Sequence, residues 1–183
     1  MEGRQLSLPL GVIRKFPQRK WGEGLYLLMV RLGSSSAHVS SNHDRPTDNH
    51  VMRFLQRHEI PYQYLPTTSA NKREQEILEP IEGTDFVVLA RYMQVMSDNF
   101  LQSYGKDIIN IHICNRPSSH FVTPELDAGP IIEQMVERVS HRDTLHSFVV
   151  KSENLEKQCL AEAIKSYCEL RVLPYEVMKT VLC

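Results

Sequence analysis

The chain has 183 residues, with 21 Lys and Arg against 22 Asp and Glu, for a formal net charge of −1. That length suits one domain with a full hydrophobic core, and the balanced charge argues against nucleic acid or an anionic membrane as a partner. No apolar run reaches the 18 residues that a membrane span needs. Cys114, Cys159, Cys168 and Cys183 have neither zinc-knuckle nor redox-pair spacing, and the eight histidines show no metal-ligand spacing. The cysteines therefore read as free thiols of a reducing compartment, and no metal is expected. Arg14, Lys15, Arg19 and Lys20 form a short basic cluster, which reads as solvated surface. Residues 1–20 fit an organelle transit peptide only loosely.

In chain order, Leu25 to Leu32 predicts a buried strand, and Gly33-Ser-Ser-Ser reads as a loop. No helix with a Lys follows that loop, as a phosphate-binding loop would need. Asp48 to Glu59 has helical spacing, with Val51, Phe54 and Leu55 on one face and Asp48 as its cap. Ile60 to Leu65 is a short strand. Asn71 to Leu78 predicts a charged helix closed by Pro80 and Gly83. Asp85 to Ala90 is a continuous apolar run, expected of a strand covered on both faces. Ser97-Asp-Asn opens a helix that ends at Gly105, and Ile108 to His112 is the next strand. This alternation predicts an α/β chain with a mostly parallel sheet flanked by helices. Ile131 to Val139 alternates like a half-buried strand. Ser140-His-Arg-Asp143 has capping-box spacing, so a long helix is expected from Arg142 to Leu170. The tail, Arg171 to Leu182, adds a last strand.

Chemistry points to the strand ending in Asn110-Ile-His112. Side chains alternate across a strand, so Asn110 and His112 share a face, at the strand end where ligands sit in such sheets. Fifteen positions later comes Asp127, in Leu-Asp-Ala-Gly-Pro. An imidazole can take or give a proton near neutrality, an amide can stabilise an oxyanion, and a carboxylate can fix the imidazole or hold a water. The three together suit transfer of a one-carbon acyl unit to an amine or to water. Taken alone, His112 also reads as a satisfied structural residue, and Asp127-Ala-Gly as a turn.

Asn110-Ile-His112 with Leu126-Asp127-Ala-Gly-Pro-Ile-Ile132 resembles the paired signature of the formyltetrahydrofolate-using transferase and hydrolase family. Ala90-Arg-Tyr-Met-Gln-Val-Met96 is similar to its folate-binding stretch. Ser41-Asn-His43, the run from Ile131 to Asp143 and Arg171-Val-Leu-Pro-Tyr175 resemble formyltetrahydrofolate deformylases, plant-type ones in particular. The resemblance covers residues 39–181. It implies a Rossmann-like formyltransferase fold and hydrolysis of 10-formyltetrahydrofolate to tetrahydrofolate and formate, a supply for purine biosynthesis. By that resemblance Asn110, His112 and Asp127 are catalytic. Met93, Gln94, Val95 and Met96 meet the pterin, and backbone groups of Thr123, Pro124, Glu125 and Leu126 read its edge. It further implies no cofactor beyond the folate substrate and a mitochondrial location, with the cytoplasm as the alternative. A homo-oligomer is open, and neither nucleic acid nor membrane is a partner.

Three departures accompany the resemblance. Deformylases usually begin with a small regulatory (ACT-type) domain, for which this chain leaves no room. The expected organisation is therefore a poorly matching segment, 1–36, and a formyltransferase-like domain, 37–183. Residues 1–36 also lack the Lys-Gln-rich first-strand signature of deformylases, and the phosphate-binding loop of the glycinamide ribonucleotide transferases. Finally, Asn-x-His in the family is followed by a Leu-Leu-Pro-Ser loop, a helix and half a strand. Here Ile113-Cys-Asn-Arg-Pro-Ser-Ser119 leads directly into His120-Phe-Val-Thr123, so one crossover helix is missing. A parallel crossover takes about a dozen residues. Seven span at most about 25 Å, enough only for a straight tether back along a strand of roughly 16 Å. Apolar sheet area is then expected to lie open, at roughly 25 cal/mol per Å², and one wall of the folate site to be lost. The alternative function is a non-catalytic folate-binding or subunit-associating isoform. A formyltransferase acting on an amine would need a second phosphate site, which the sequence lacks.

Overall fold

In the computed structural model, the described residues are 26–30, 38–41, 50–65, 73–90, 92, 95–112, 117–175 and 179–182. The basic cluster, the Gly33 loop, Asn42, His43, Asp48, Cys114 and Cys183 lie outside them. The chain forms two compact units, 1–108 and 109–183.

In the first unit, strands β1 (Tyr26–Val30), β2 (His38–Ser41), β3 (Tyr62–Tyr64) and β4 (Phe86–Ala90) stand in the order β3-β2-β1-β4. β2 and β3 are parallel. β1 runs antiparallel to both neighbours, with Leu28 opposite Val39 and Val88. Only residues 31–37 join β1 to β2, too few for a crossover. All five residues of β4 are buried, as its unbroken apolar run predicts.

Helix α1 (His50–Arg57) buries Leu55 and exposes Arg53, Gln56 and Arg57. It closes where Glu59 turns left-handed at φ 53° and the Ile60 N–H donates to the Leu55 carbonyl at 2.9 Å. Helix α2 (Glu74–Ile81) buries Ile77 and Ile81, one helical turn apart. Pro80 lies within its last turn rather than ending it, since a proline there forfeits a single N–H. Helix α3 (Asp98–Tyr104) begins and ends where the sequence predicts. The Ser97 hydroxyl accepts from the Phe100 N–H at 3.1 Å, and Gly105 closes the helix at φ 64°. The Glu74 carboxylate accepts from the Ser97 N–H at 2.9 Å and from its hydroxyl, tying the starts of α2 and α3 together.

In the second unit, β5 (Ile108–His112, its first residue still in the first unit), β6 (Ser118–Phe121) and β7 (Ile131–Gln134) form an antiparallel run, β5-β6-β7. The α/β Rossmann-like class stands, but β1 to β4 are mixed and β5 to β7 antiparallel, and of the pairs described here only β2–β3 is parallel. The reason is chain length: five residues separate His112 from Ser118, a hairpin length. β6 comes back beside β5, so the link has a turn to make and not the straight crossover expected. Of the apolar side chains on these strands, Ile131 of β7 is exposed. Ile108, Ile109 and Ile111 are buried, and the face opposite Ile109 and Ile111 carries Asn110 and His112.

Helix α4 (Leu145–Cys168) packs on β6 and β7. It buries Leu155, Cys159, Leu160, Ala163 and Ile164, spaced as a helix stripe requires. Its N-cap is Thr144, whose hydroxyl accepts from the Ser147 N–H at 3.1 Å. The expected capping box is a separate turn just ahead: the Ser140 N–H donates to Asp143 Oδ2 at 2.7 Å, and the Asp143 N–H to the Ser140 carbonyl at 2.9 Å. β7 stops at Gln134, five residues short of the alternating run, with Ile132 turned inward and Ile131 outward. The tail makes two antiparallel strands, β8 (Val172–Tyr175) and β9 (Lys179–Leu182), in place of one.

Candidate active site

β5 sets the first two groups. Ile109 and Ile111 are buried, whereas Asn110 is half-buried and His112 is exposed. Asn110 stands opposite His120 of β6, and His112 opposite Ser118. Residues opposite one another in an antiparallel pair share a face, so Asn110, His112, Ser118 and His120 form one polar surface. The other face of β6 belongs to α4. Ser119 is fully buried with its hydroxyl 3.7 Å from the Cys159 thiol, and Phe121 meets Tyr167 edge-on at 5.9 Å. Burial pushes the Cys159 thiol up, and neither it nor the buried Cys168 is in a disulfide.

The Asp127 turn supplies the carboxylate. Asp127 sits at φ 53°, a conformation that Asp tolerates better than most residues. The turn is clamped beyond it. The Phe121 N–H donates to the Pro130 carbonyl at 3.0 Å, and a Cβ on Gly129 would lie 1.6 Å from the Phe121 carbonyl oxygen. Only glycine permits that approach. Upstream, the Thr123 hydroxyl donates to the Glu125 carbonyl at 2.9 Å, as does the Ala128 N–H at 3.4 Å. That carbonyl is thus engaged within the loop. Pro124, Glu125 and Leu126 are exposed and Thr123 is half-buried.

The result is one carboxylate between two imidazoles. Asp127 Oδ2 lies 3.8 Å from His112 Nε2, and Asp127 Oδ1 lies 3.6 Å from His120 Nε2. The rings differ in setting: the His112 side chain is 48 % exposed, that of His120 only 6 %. Asn110 Oδ1 and His120 Nε2 are buried with no hydrogen-bond partner in the protein. So the structure brings Asn110, His112 and Asp127 together and adds His120, which the sequence reading used only as strand. No periodicity in Ser118-Ser-His-Phe121 signals it, and only pairing with β5 reveals what it faces. Of the expected pterin contacts, Val95 is exposed and Met96 buried, both in the first unit, and Met93 and Gln94 lie outside the described residues. Among the described residues, no cluster of three or more His, Cys, Asp or Glu could hold a metal ion.

An amide, an imidazole and a carboxylate so placed can polarise a carbonyl and move a proton, and the formyl transferase family model matches residues 27–118. The chain belongs to the formyl transferase family. It is 58% identical to formyltetrahydrofolate deformylase 2, mitochondrial, of Arabidopsis thaliana, covering 89% of this chain and 54% of that protein. It is 56% identical to deformylase 1, mitochondrial, of the same plant, covering 89% and 55%. Among solved structures, a Burkholderia mallei formyltetrahydrofolate deformylase matches with a TM-score of 0.68 at 30% identity, over 80% of this chain and 59% of that one. The chain thus spans about half the length of these curated relatives. The first alignment runs over 184 residues but takes in 89% of the 183 present here, so about twenty aligned positions have no counterpart in this chain.

Proposed function

We propose that this formyl transferase family chain hydrolyses 10-formyltetrahydrofolate to tetrahydrofolate and formate, as the names of its plant relatives suggest. The observation that carries the proposal is the approach of Asp127 to His112, at 3.8 Å, on the face that bears Asn110. In this scheme a water attacks the formyl carbon and gives one proton to His112. The carbonyl oxygen becomes an oxyanion that accepts from the Asn110 amide. Asp127 holds the imidazolium and orients the water. The tetrahedral centre then collapses, the bond from carbon to N10 breaks, and His112 returns its proton to the leaving N10. Formic acid and tetrahydrofolate separate, the acid losing the water's second proton to solvent to become formate, with no cofactor consumed. Thr123, Pro124, Glu125 and Leu126 border the pterin in this reading. The reaction is placed in the mitochondrion, after the plant relatives, where its formate supplies purine synthesis. Self-association and an arrangement of residues 37–183 as the catalytic domain complete the proposal.

The test is formate release from 10-formyltetrahydrofolate by the purified chain, with His112→Ala as control. The expected outcome is turnover that falls by roughly 10²–10⁴-fold in the variant. Turnover that the substitution leaves unchanged would overturn the mechanism. The shortened β5–β6 link favours a second reading, a folate-binding chain without turnover. Tetrahydrofolate binding with no formate release would select it.

A further inference from the structure

We infer that His120 is a positioning residue of this site, an imidazole that anchors Asp127 by one oxygen so that the other is left for His112. The inference deepens the proposed hydrolysis and rests on that reading for its catalytic consequence, though its geometric core stands apart from it. His120 Nδ1 lies 3.0 Å from the Phe121 carbonyl oxygen. A carbonyl oxygen only accepts, so Nδ1 carries the hydrogen. In a neutral ring Nε2 would then be a bare acceptor. What it faces is another acceptor, Asp127 Oδ1, at 3.6 Å. That separation lies just beyond hydrogen-bond reach, in a side chain only 6 % exposed, so a small closing movement is all that a donor on Nε2 needs to reach the carboxylate. With the carboxylate drawn in, His120 donates from both nitrogens, to the carbonyl it already meets and to Asp127. Other groups near that carboxylate and ring are His112, 3.8 Å from Oδ2, and Asn110, opposite His120 in the register.

Position in the fold supports the same assignment. β6 and β7 shift register between Ser119 and His120, where His120 pairs with Ile131 in place of Ile132. Such irregularities re-aim side chains beside functional sites. The carbonyl that fixes Nδ1 is also the one that Gly129 approaches, so the Asp127 turn and the His120 ring share a common anchor. Were His120 mere filling, an apolar residue would serve better than a ring whose buried Nε2 has no hydrogen-bond partner.

The first test needs no turnover. Nitrogen NMR of ring-labelled histidines, in the full chain and in Asp127→Asn, reads each ring nitrogen of His120. The expected result is hydrogen on both nitrogens in the natural chain, with Nδ1 keeping its hydrogen and Nε2 losing it in the variant. A bare Nδ1, or an Nε2 signal indifferent to Asp127, would overturn the inference whether or not the chain releases formate. The second test separates positioning from packing. His120→Gln keeps a donor near Nε2, and His120→Asn keeps one near Nδ1. Formate release is expected to hold within about tenfold in the Gln variant, the difference between a charge-assisted and a neutral hydrogen bond. In the Asn variant kcat should fall by roughly 10²-fold with KM unchanged, as for a misplaced catalytic group. Equal losses in both variants, with melting temperatures lowered together, would reduce His120 to a structural role.

Discussion

β4 and β5 are both five-residue strands, yet they spend their residues differently. β4, Phe86-Val-Val-Leu-Ala90, is apolar and buried throughout. β5, Ile108-Ile-Asn-Ile-His112, buries its isoleucines but gives alternate positions to an amide and an imidazole. The first strand is a core element whose worth is the area it removes from water. The second carries polar groups that cost stability: a buried amide oxygen without a partner, as on Asn110, is worth about 1–3 kcal/mol of destabilisation. A strand keeps such a residue where chemistry needs it.

Exchanging the characters of the two strands tests this contrast. Val88→Asn would place an amide in a fully buried position of β4, and we expect a loss of about 4 kcal/mol in chemical denaturation. The reverse change, Asn110→Leu, should leave the chain as stable or about 1 kcal/mol more so. It should lower formate release by roughly 10²–10³-fold, the effect of removing an oxyanion donor. A large destabilisation by Asn110→Leu would mean that β5 needs the amide for folding, and the contrast would break. Gly129→Ala drives a methyl into the Phe121 carbonyl. It should cost about 2–3 kcal/mol in thermal unfolding and disturb Asp127 and His120 together.

The smallest effect concerns the start of α4. The Ser140 N–H and the Lys151 ammonium hold the Asp143 carboxyl below the ordinary carboxylate range. A lowered value means that the charged form is favoured in the folded chain. Its contribution is therefore present above the ordinary range and is lost as pH falls through the lowered value. Melting curves of the natural chain and Asp143→Asn should differ slightly near neutrality and converge as the pH drops below that range. Curves that stay apart in acid would assign the turn to Ser140 alone.

Much of this was legible beforehand. Ser97 and Gly105 mark α3 as expected, because caps act within a few residues. The apolar run marks β4, and alternation places Asn110 and His112 on one face. Reading failed where two local signals competed. Ser140 to Asp143 has the spacing of a capping box, but Thr144 lies one residue closer to the helix and takes the cap. Strand direction was missed because an apolar strand reads the same way up or down. His120 was missed because its partners, Asn110 and Asp127, come from other elements.

Sequence alone pointed to Asn110, His112 and Asp127 and to a short link after His112, since side-chain type and spacing are local properties of the chain. Tertiary structure decided that β6 pairs antiparallel with β5, and that a second imidazole stands across from the amide. Strand pairing is a long-range choice. It depends on which backbone hydrogen bonds close across the sheet, and no stretch of sequence carries that information by itself.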